Sequence, residues 1–162
     1  MTDLTVREAR RDDAAGMAAV INPIIRAGGT TAYEAEMAEA EFAAMLFDRR
    51  DLIAAFVAED EAGIAGFQWI DRLDKLPKGV ASIATFARIE PKRPGVGTAL
   101  FAMTQDAARA TGCREIDATI RADNPGGLAF YEKMGFEPHS ITRSVPLRDG
   151  TPVDRVHKRF RL

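Results

Sequence analysis

Cysteine occurs once in the 162 residues, at Cys113. No disulfide can close within the chain, and a reducing cytoplasm is the compartment that fits best. A nucleophilic Cys113 would need a histidine partner, and no motif supplies one, so it is expected as a buried or half-buried thiol. Histidine occurs only at His139 and His157. No His/Cys/Asp cluster has metal-ligand spacing, and no metal site is expected. No apolar run approaches the ~18 residues that cross a bilayer. The opening "MTDLTVREARRDD" is charged where a signal peptide needs an apolar stretch. Charge of one sign is also scarce: the formal net charge is −2, so there is no basic excess to hold nucleic acid or an anionic membrane. The basic "HKRFRL" (157–162) alternates as an edge strand would, and positive charge on an edge blocks unwanted pairing.

Hydrophobic residues make up 46% of the chain and charged residues 28%, the balance of a globular protein. Without repeats or linkers, residues 1–162 read as one domain. The elements alternate. Strands are expected at 4–10, 52–60, 63–73, 80–89, 113–121, 135–146 and 153–162. A first helix starts after a cap at Asp12 or Asp13, carries Met17, Val20, Ile21, Ile24 and Ile25 inward, and should kink or stop at Pro23. A Gly/Thr-rich loop, "AGGTTAYE" (27–34), leads to a second helix at 37–50 with Phe42, Met45 and Leu46 inward. A third helix, 96–111, shows an apolar stripe of Val96, Ala99, Leu100, Met103 and Ala107 and ends at Gly112. A fourth starts at Asn124-Pro125 and ends at Gly135. This order predicts one α+β domain built on a mixed sheet. Trp69 falls in the third strand, where core packing is the simplest role and lining a pocket the second.

The densest chemical signal is "KRPGVG" (92–97), directly before the third helix. Amides in a glycine-rich turn can converge on one anion. A helix start adds unpaired N–H donors and the positive end of the macrodipole. Lys92 and Arg93 add charge, so the stretch suits a diphosphate. It is not a Walker loop, since Thr98-Ala99 stand where Lys-Ser/Thr is needed, nor a dinucleotide fingerprint, since Leu100 stands where a third glycine is needed. The bland reading is a tight turn without a ligand.

"K-R-P-G-V-G-T-A-L" resembles the pyrophosphate loop of GNAT-type N-acetyltransferases, commonly Gln/Arg-x-x-Gly-x-Gly/Ala. "NPGGLAFYEKMGFE" (124–137) resembles that superfamily's second hallmark through Asn124, Gly127, Tyr131 and Gly135-Phe136. "VREARRDDAAGMAAVINPIIRAGGTTAYE" looks like the opening of phosphinothricin-acetyltransferase-like members. Two departures stand out: Lys92 replaces Gln or Arg, and Pro94 removes an amide from the loop. The resemblance implies a single domain with a twisted, mostly antiparallel mixed sheet of about seven strands and about four flanking helices, working as a homodimer.

It also implies acetyl transfer from acetyl-CoA to a small-molecule amine, an amino acid or a phosphinothricin-like analogue. Lys92, Arg93, Pro94, Gly95, Val96, Gly97 and Thr98 would hold the pyrophosphate; Phe86 and Ala87, in the stretch Thr85–Ala87, and Asn124 would hold the thioester arm. Tyr131 would protonate the departing thiolate. The general base is open among Glu34, Asp71, Glu90, Asp117 and a water relayed through backbone carbonyls. Glu34 is favoured, because it follows Tyr33 in the loop expected to face the acceptor. The rival reading is a non-catalytic acyl-CoA-binding or regulatory module.

Overall fold

The computed structural model describes residues 3–162. Seven strands form one sheet in the order β1-β2-β3-β4-β5-β7-β6: β1 Thr5–Glu8, β2 Leu52–Asp60, β3 Gly63–Asp71, β4 Val80–Ala87, β5 Glu115–Arg121, β6 Glu137–Pro146 and β7 Pro152–Arg161. The pairs are antiparallel except β4 with β5. Four helices flank it: α1 Ala14–Ala27, α2 Glu39–Phe47, α3 Val96–Ala110 and α4 Pro125–Met134. The expected α+β sheet of about seven strands and four helices is what the chain forms. Among the described residues, no helix is long and apolar enough to cross a membrane.

Two apolar layers hold the sheet. On one face, Met17, Val20, Ile21 and Ile24 of α1 and Phe42 and Leu46 of α2 pack on Val57, Phe67, Trp69 and Phe86. The aromatic rings interlock there: Phe67 stacks on Trp69 at 6.0 Å and lies 5.2 Å from Phe86. Trp69 is thus a core residue. On the other face, Phe101 of α3 packs with Phe136, Ile116, Ala118 and Ile120.

Several local expectations shift. α1 runs through Pro23 to Gly28. The carbonyl that Pro23 leaves unpaired belongs to Ala19, on the exposed side of the helix, where water can satisfy it, while Ile24 and Ile25 stay buried. α2 is shorter than 37–50, beginning at Glu39 because Asn22 on α1 holds Met37 in extended backbone with two hydrogen bonds, of 2.8 and 2.9 Å. Asp13 does not cap α1 with its side chain; its carboxylate turns back to the Arg10 amide (2.7 Å) and to both terminal nitrogens of Arg7 (2.7 and 2.9 Å). On α3 the buried face is Val96, Leu100, Phe101, Thr104 and Ala108, with Met103 exposed. Val96 and Leu100 are buried as expected, whereas Thr104 and Ala108 take the core places expected of Met103 and Ala107.

Gly66 sits where β3 passes beneath the start of α3. A Cβ there would lie 2.4 Å from Val96 Cγ1 and 2.7 Å from the Phe86 carbonyl. We expect Gly66→Ala to destabilise the fold by about 2 kcal/mol in urea melts. Gly126→Ala, in the first turn of α4 with only Asn124 Oδ1 at 3.7 Å, should be neutral or stabilising by up to about 1 kcal/mol.

Hydrogen bonds from Arg7 hold the Asp13 carboxyl below the usual carboxylate range. The pair's contribution is then complete above the unfolded value near pH ~3.9 and is lost as pH falls through the lowered native one. Asp13→Asn should cost about 1–2 kcal/mol at neutral pH and flatten the acid limb of stability measured by denaturant melts from pH 7 to 2.

Candidate active site

β4 and β5 pair only from Val80–Ile83 to Glu115–Ala118. Past Ile83, β4 follows β3 to Ala87, and past Ala118, β5 follows β7 to Arg121. The strands part, and a cavity of about 830 Å³ fills the opening. The Arg88 amide donates to the Ala65 carbonyl (2.8 Å). Alternation along the antiparallel ladder therefore turns the amides of Ala84 and Phe86 towards β3 and those of Thr85 and Ala87 into the opening. Of the expected Phe86 and Ala87 pair, Ala87 offers its amide to the cleft. Phe86 spends its amide on the sheet and lines the cavity with its side chain.

The cavity passes through the sheet. Gly97, Phe130 and Tyr131 line it on the α3/α4 side, and Thr31, Tyr33, Arg121 and Arg155 on the α1/α2 side. On the first side, α4 is capped by the Asn124 side chain, which accepts the Gly127 amide at 3.0 Å. This sets Tyr131, 8% exposed, with its hydroxyl 2.9 Å from Thr85 Oγ1. Thr85 Oγ1 also accepts from Gln68 Nε2 at 2.8 Å. Burial pushes the Tyr131 phenol up to about 12, against the pull of the Thr85 hydrogen bond. The group therefore stays protonated through the neutral and mildly alkaline range and acts there as a hydrogen-bond donor.

The start of α3 has no side-chain cap, so the first-turn amides of Val96, Gly97 and Thr98 lack partners within the helix. Gly95, exposed before them, adopts φ of +81° and would carry a Cβ in open space; only its backbone conformation demands glycine. Gly97 is needed for a different reason, since a Cβ would lie 2.4 Å from the Phe130 ring. The two cations divide. Lys92 is exposed at the rim and makes no ion pair among the described residues. Arg93 shares its charge with Asp60 (3.8 Å) and Glu61 (3.6 Å). Arg88 joins this cluster, donating to both Asp60 oxygens and to the Pro91 carbonyl (2.7 Å), and so ties the glycine turn to the β2–β3 turn.

On the other side, the loop between α1 and α2 is tied down at several points. Arg26 pairs with Glu36 (2.7 Å), Arg121 donates to the Thr31 carbonyl (3.2 Å) and Asn124 Nδ2 to the Thr30 carbonyl (3.2 Å). Tyr33 packs near Phe86, ring centroids 6.4 Å apart. Glu34, the next residue, is exposed, and its carboxylate accepts from the Arg148 amide (3.1 Å) in the β6–β7 turn. The other carboxylates considered as bases are also placed away from the cavity wall. Asp71 is held by Arg49 and by Trp69 Nε1 (3.1 Å), Asp117 by Arg159 (2.6 Å), and Glu90 is exposed. Sequence reading missed Gln68 and Arg155, whose places depend on strand register.

The donor set suits a CoA ester: unpaired helix amides and a free lysine for phosphates, two cleft-facing strand amides for the arm, and a buried phenol at its inner end. Among solved structures, a ribosomal-protein-alanine N-acetyltransferase from Brucella melitensis superposes with a TM-score of 0.87 at 20% identity, over 98% of this chain and 99% of that one. A phosphinothricin acetyltransferase from Sinorhizobium meliloti, in complex with acetyl-CoA, gives 0.83 at 21%, over 98% and 88%. Curated relatives include an uncharacterised N-acetyltransferase of Methanocaldococcus jannaschii, 29% identical over 59% of this chain, and a mycothiol acetyltransferase of Clavibacter michiganensis, 33% identical over 52%. The matches span 44% and 27% of those two proteins, less than half of each. The model of the Acetyltransferase (GNAT) family matches residues 20–136, the stretch that carries the glycine turn, the parted strands and Tyr131, and the chain belongs to that family.

Proposed function

We propose that the chain moves the acetyl group of acetyl-CoA to the amine of a small molecule, an amino acid or a phosphinothricin-like analogue, by direct attack on the thioester. The observation that carries this reading is the cavity through the sheet, with amides and a phenol on one side and Thr31, Tyr33, Arg121 and Arg155 on the other. Bound acetyl-CoA would supply an activated acyl group with a thiolate as leaving group. The amides of Val96, Gly97 and Thr98 and the Lys92 ammonium hold its diphosphate. The Thr85 and Ala87 amides orient the acyl arm and face the negative charge that develops on the acyl oxygen, a type of contact that contributes ~3 kcal/mol.

Tyr131 stabilises the departing thiolate by donating a hydrogen bond to the sulfur, which takes up the proton that the amine releases through water. Thr85, itself fixed by Gln68, keeps the phenol aimed. Glu34, turned onto the Arg148 amide, serves to hold the acceptor loop, so the amine's proton leaves through water bound at the cleft-facing carbonyls of Thr85 and Ala87. Thr31 and Tyr33 enclose the acceptor.

Tyr131→Phe should lower kcat by about 10- to 100-fold while leaving the CoA dissociation constant within threefold, read by thiol release and calorimetry. Unchanged turnover would remove Tyr131 from the chemistry, and CoA binding without release by the native protein for any amine would favour a binding module. The pH profile should rise with deprotonation of the acceptor amine, pKa ~8–10. No falling limb from Tyr131 is expected until the pH nears about 12.

A further inference from the structure

Arg155 lies on β7 directly across from Arg121 on β5. Residues paired this way point to the same face of a sheet. That face looks onto the acceptor loop, because Arg121 Nη1 reaches the Thr31 carbonyl. Both arginines line the cavity, but their states differ. Arg121 is spent: it forks onto both oxygens of Asp123, at 2.8 and 2.9 Å. The Arg155 side chain makes no hydrogen bond or ion pair among the described residues, and its Nη1 is buried without a partner. Asp123 is near enough for Arg155 to help lower its carboxyl, behind the larger effect of Arg121, but among the described residues its ion pair is with Arg121 and not with Arg155.

A guanidinium nitrogen kept from water without an acceptor is a standing cost. It is recovered when an anion enters, and a planar fork matches a carboxylate or phosphinate better than any other group. Arg155 and the strand stretch Thr85–Ala87 line the same cavity, from the two sides of the opening between β4 and β5.

We propose that Arg155 is the acceptor-selecting residue of this site, binding a carboxylate or phosphinate on the amine substrate and so favouring amino acids over simple amines and polyamines. This rests on the acetyl-transfer reading and narrows its substrate class. Arg155 touches the acceptor's anion and takes no part in proton transfer.

The test uses the full chain, acetyl-CoA, and a panel of α-amino acids and phosphinothricin, each paired with the amine that lacks the carboxylate. The native protein should prefer the carboxylate-bearing member. In Arg155→Met the ratio of kcat/KM within each active pair should fall by about 100-fold, through KM, as expected for one lost charge-assisted fork. Arg155→Lys should fall between. Because Arg155→Met removes a guanidinium whose Nη1 is buried without a partner, its melting temperature without acceptor should hold or rise, whereas a purely structural arginine would lower it. A preference that survives in Arg155→Met, or a native protein that acetylates the decarboxylated amines equally well, overturns this inference and leaves the acetyl-transfer reading standing. Failure of the native protein to acetylate any amine overturns that reading, and the role of Arg155 falls with it.

Discussion

The structure depends on one interruption: the parallel pairing of β4 and β5 lasts four residues and then stops. Each strand keeps its outer neighbour, β3 on one side and β7 on the other, so the separation leaves two half-strands that are stable but face each other unpaired. Backbone polar groups inside a protein are almost always satisfied. The amides and carbonyls of Thr85 and Ala87 are therefore in want of partners at the centre of the sheet, where an extended polar ligand can act as a missing strand. Tyr131 stands in the gap from above. Its contact with Thr85 spans the space that β5 has left.

The chain Gln68–Thr85–Tyr131 is costly and specific. Gln68 is fully buried and its Oε1 lacks a partner among the described residues, a penalty of about 1–3 kcal/mol. Its Nε2 donates to Thr85, which obliges that hydroxyl to present a defined geometry to Tyr131. An apolar residue at position 68 would pack at lower cost and leave the threonine free to rotate. Function at this point is held against stability, as expected of a preorganised site.

The legible parts of the sequence were those governed by neighbours along the chain. The glycine turn before α3, the N–H donors at that helix start and Asn124 as the cap of α4 follow from local backbone rules, and the spacing from Asn124 to Tyr131 is helical arithmetic. What escaped depends on partners far apart. Arg93 reads as a cation beside the glycine turn, and its ion pairs with Asp60 and Glu61 come from the distant β2–β3 turn. Glu34 reads as a base until the β6–β7 turn offers the Arg148 amide. On α3, Thr104 takes a core place expected of Met103, because a buried threonine looks like a surface residue in composition. Arg155 was one more cation in a basic strand; only its register opposite Arg121 sets it over the acceptor pocket.

The two halves of the cavity use different chemistry, and this bears on what similarity can reveal. In the proposed reading the cofactor side binds through main-chain groups: helix amides, strand amides and a turn needing glycine at a few points. Many sequences can build such groups, so chains at about 20% identity still superpose with TM-scores of 0.83 and 0.87. The acceptor side is made of side chains on the α1–α2 loop and on β5 and β7, held in place by the ties from Arg121 and Asn124 to Thr31 and Thr30. A few substitutions there change the pocket's charge while the fold is unmoved. A neighbour whose name specifies phosphinothricin and one whose name specifies a ribosomal protein alanine can therefore resemble this chain equally. The acceptor has to be read from charges that the pocket leaves unpaired, and not from the fold they stand on.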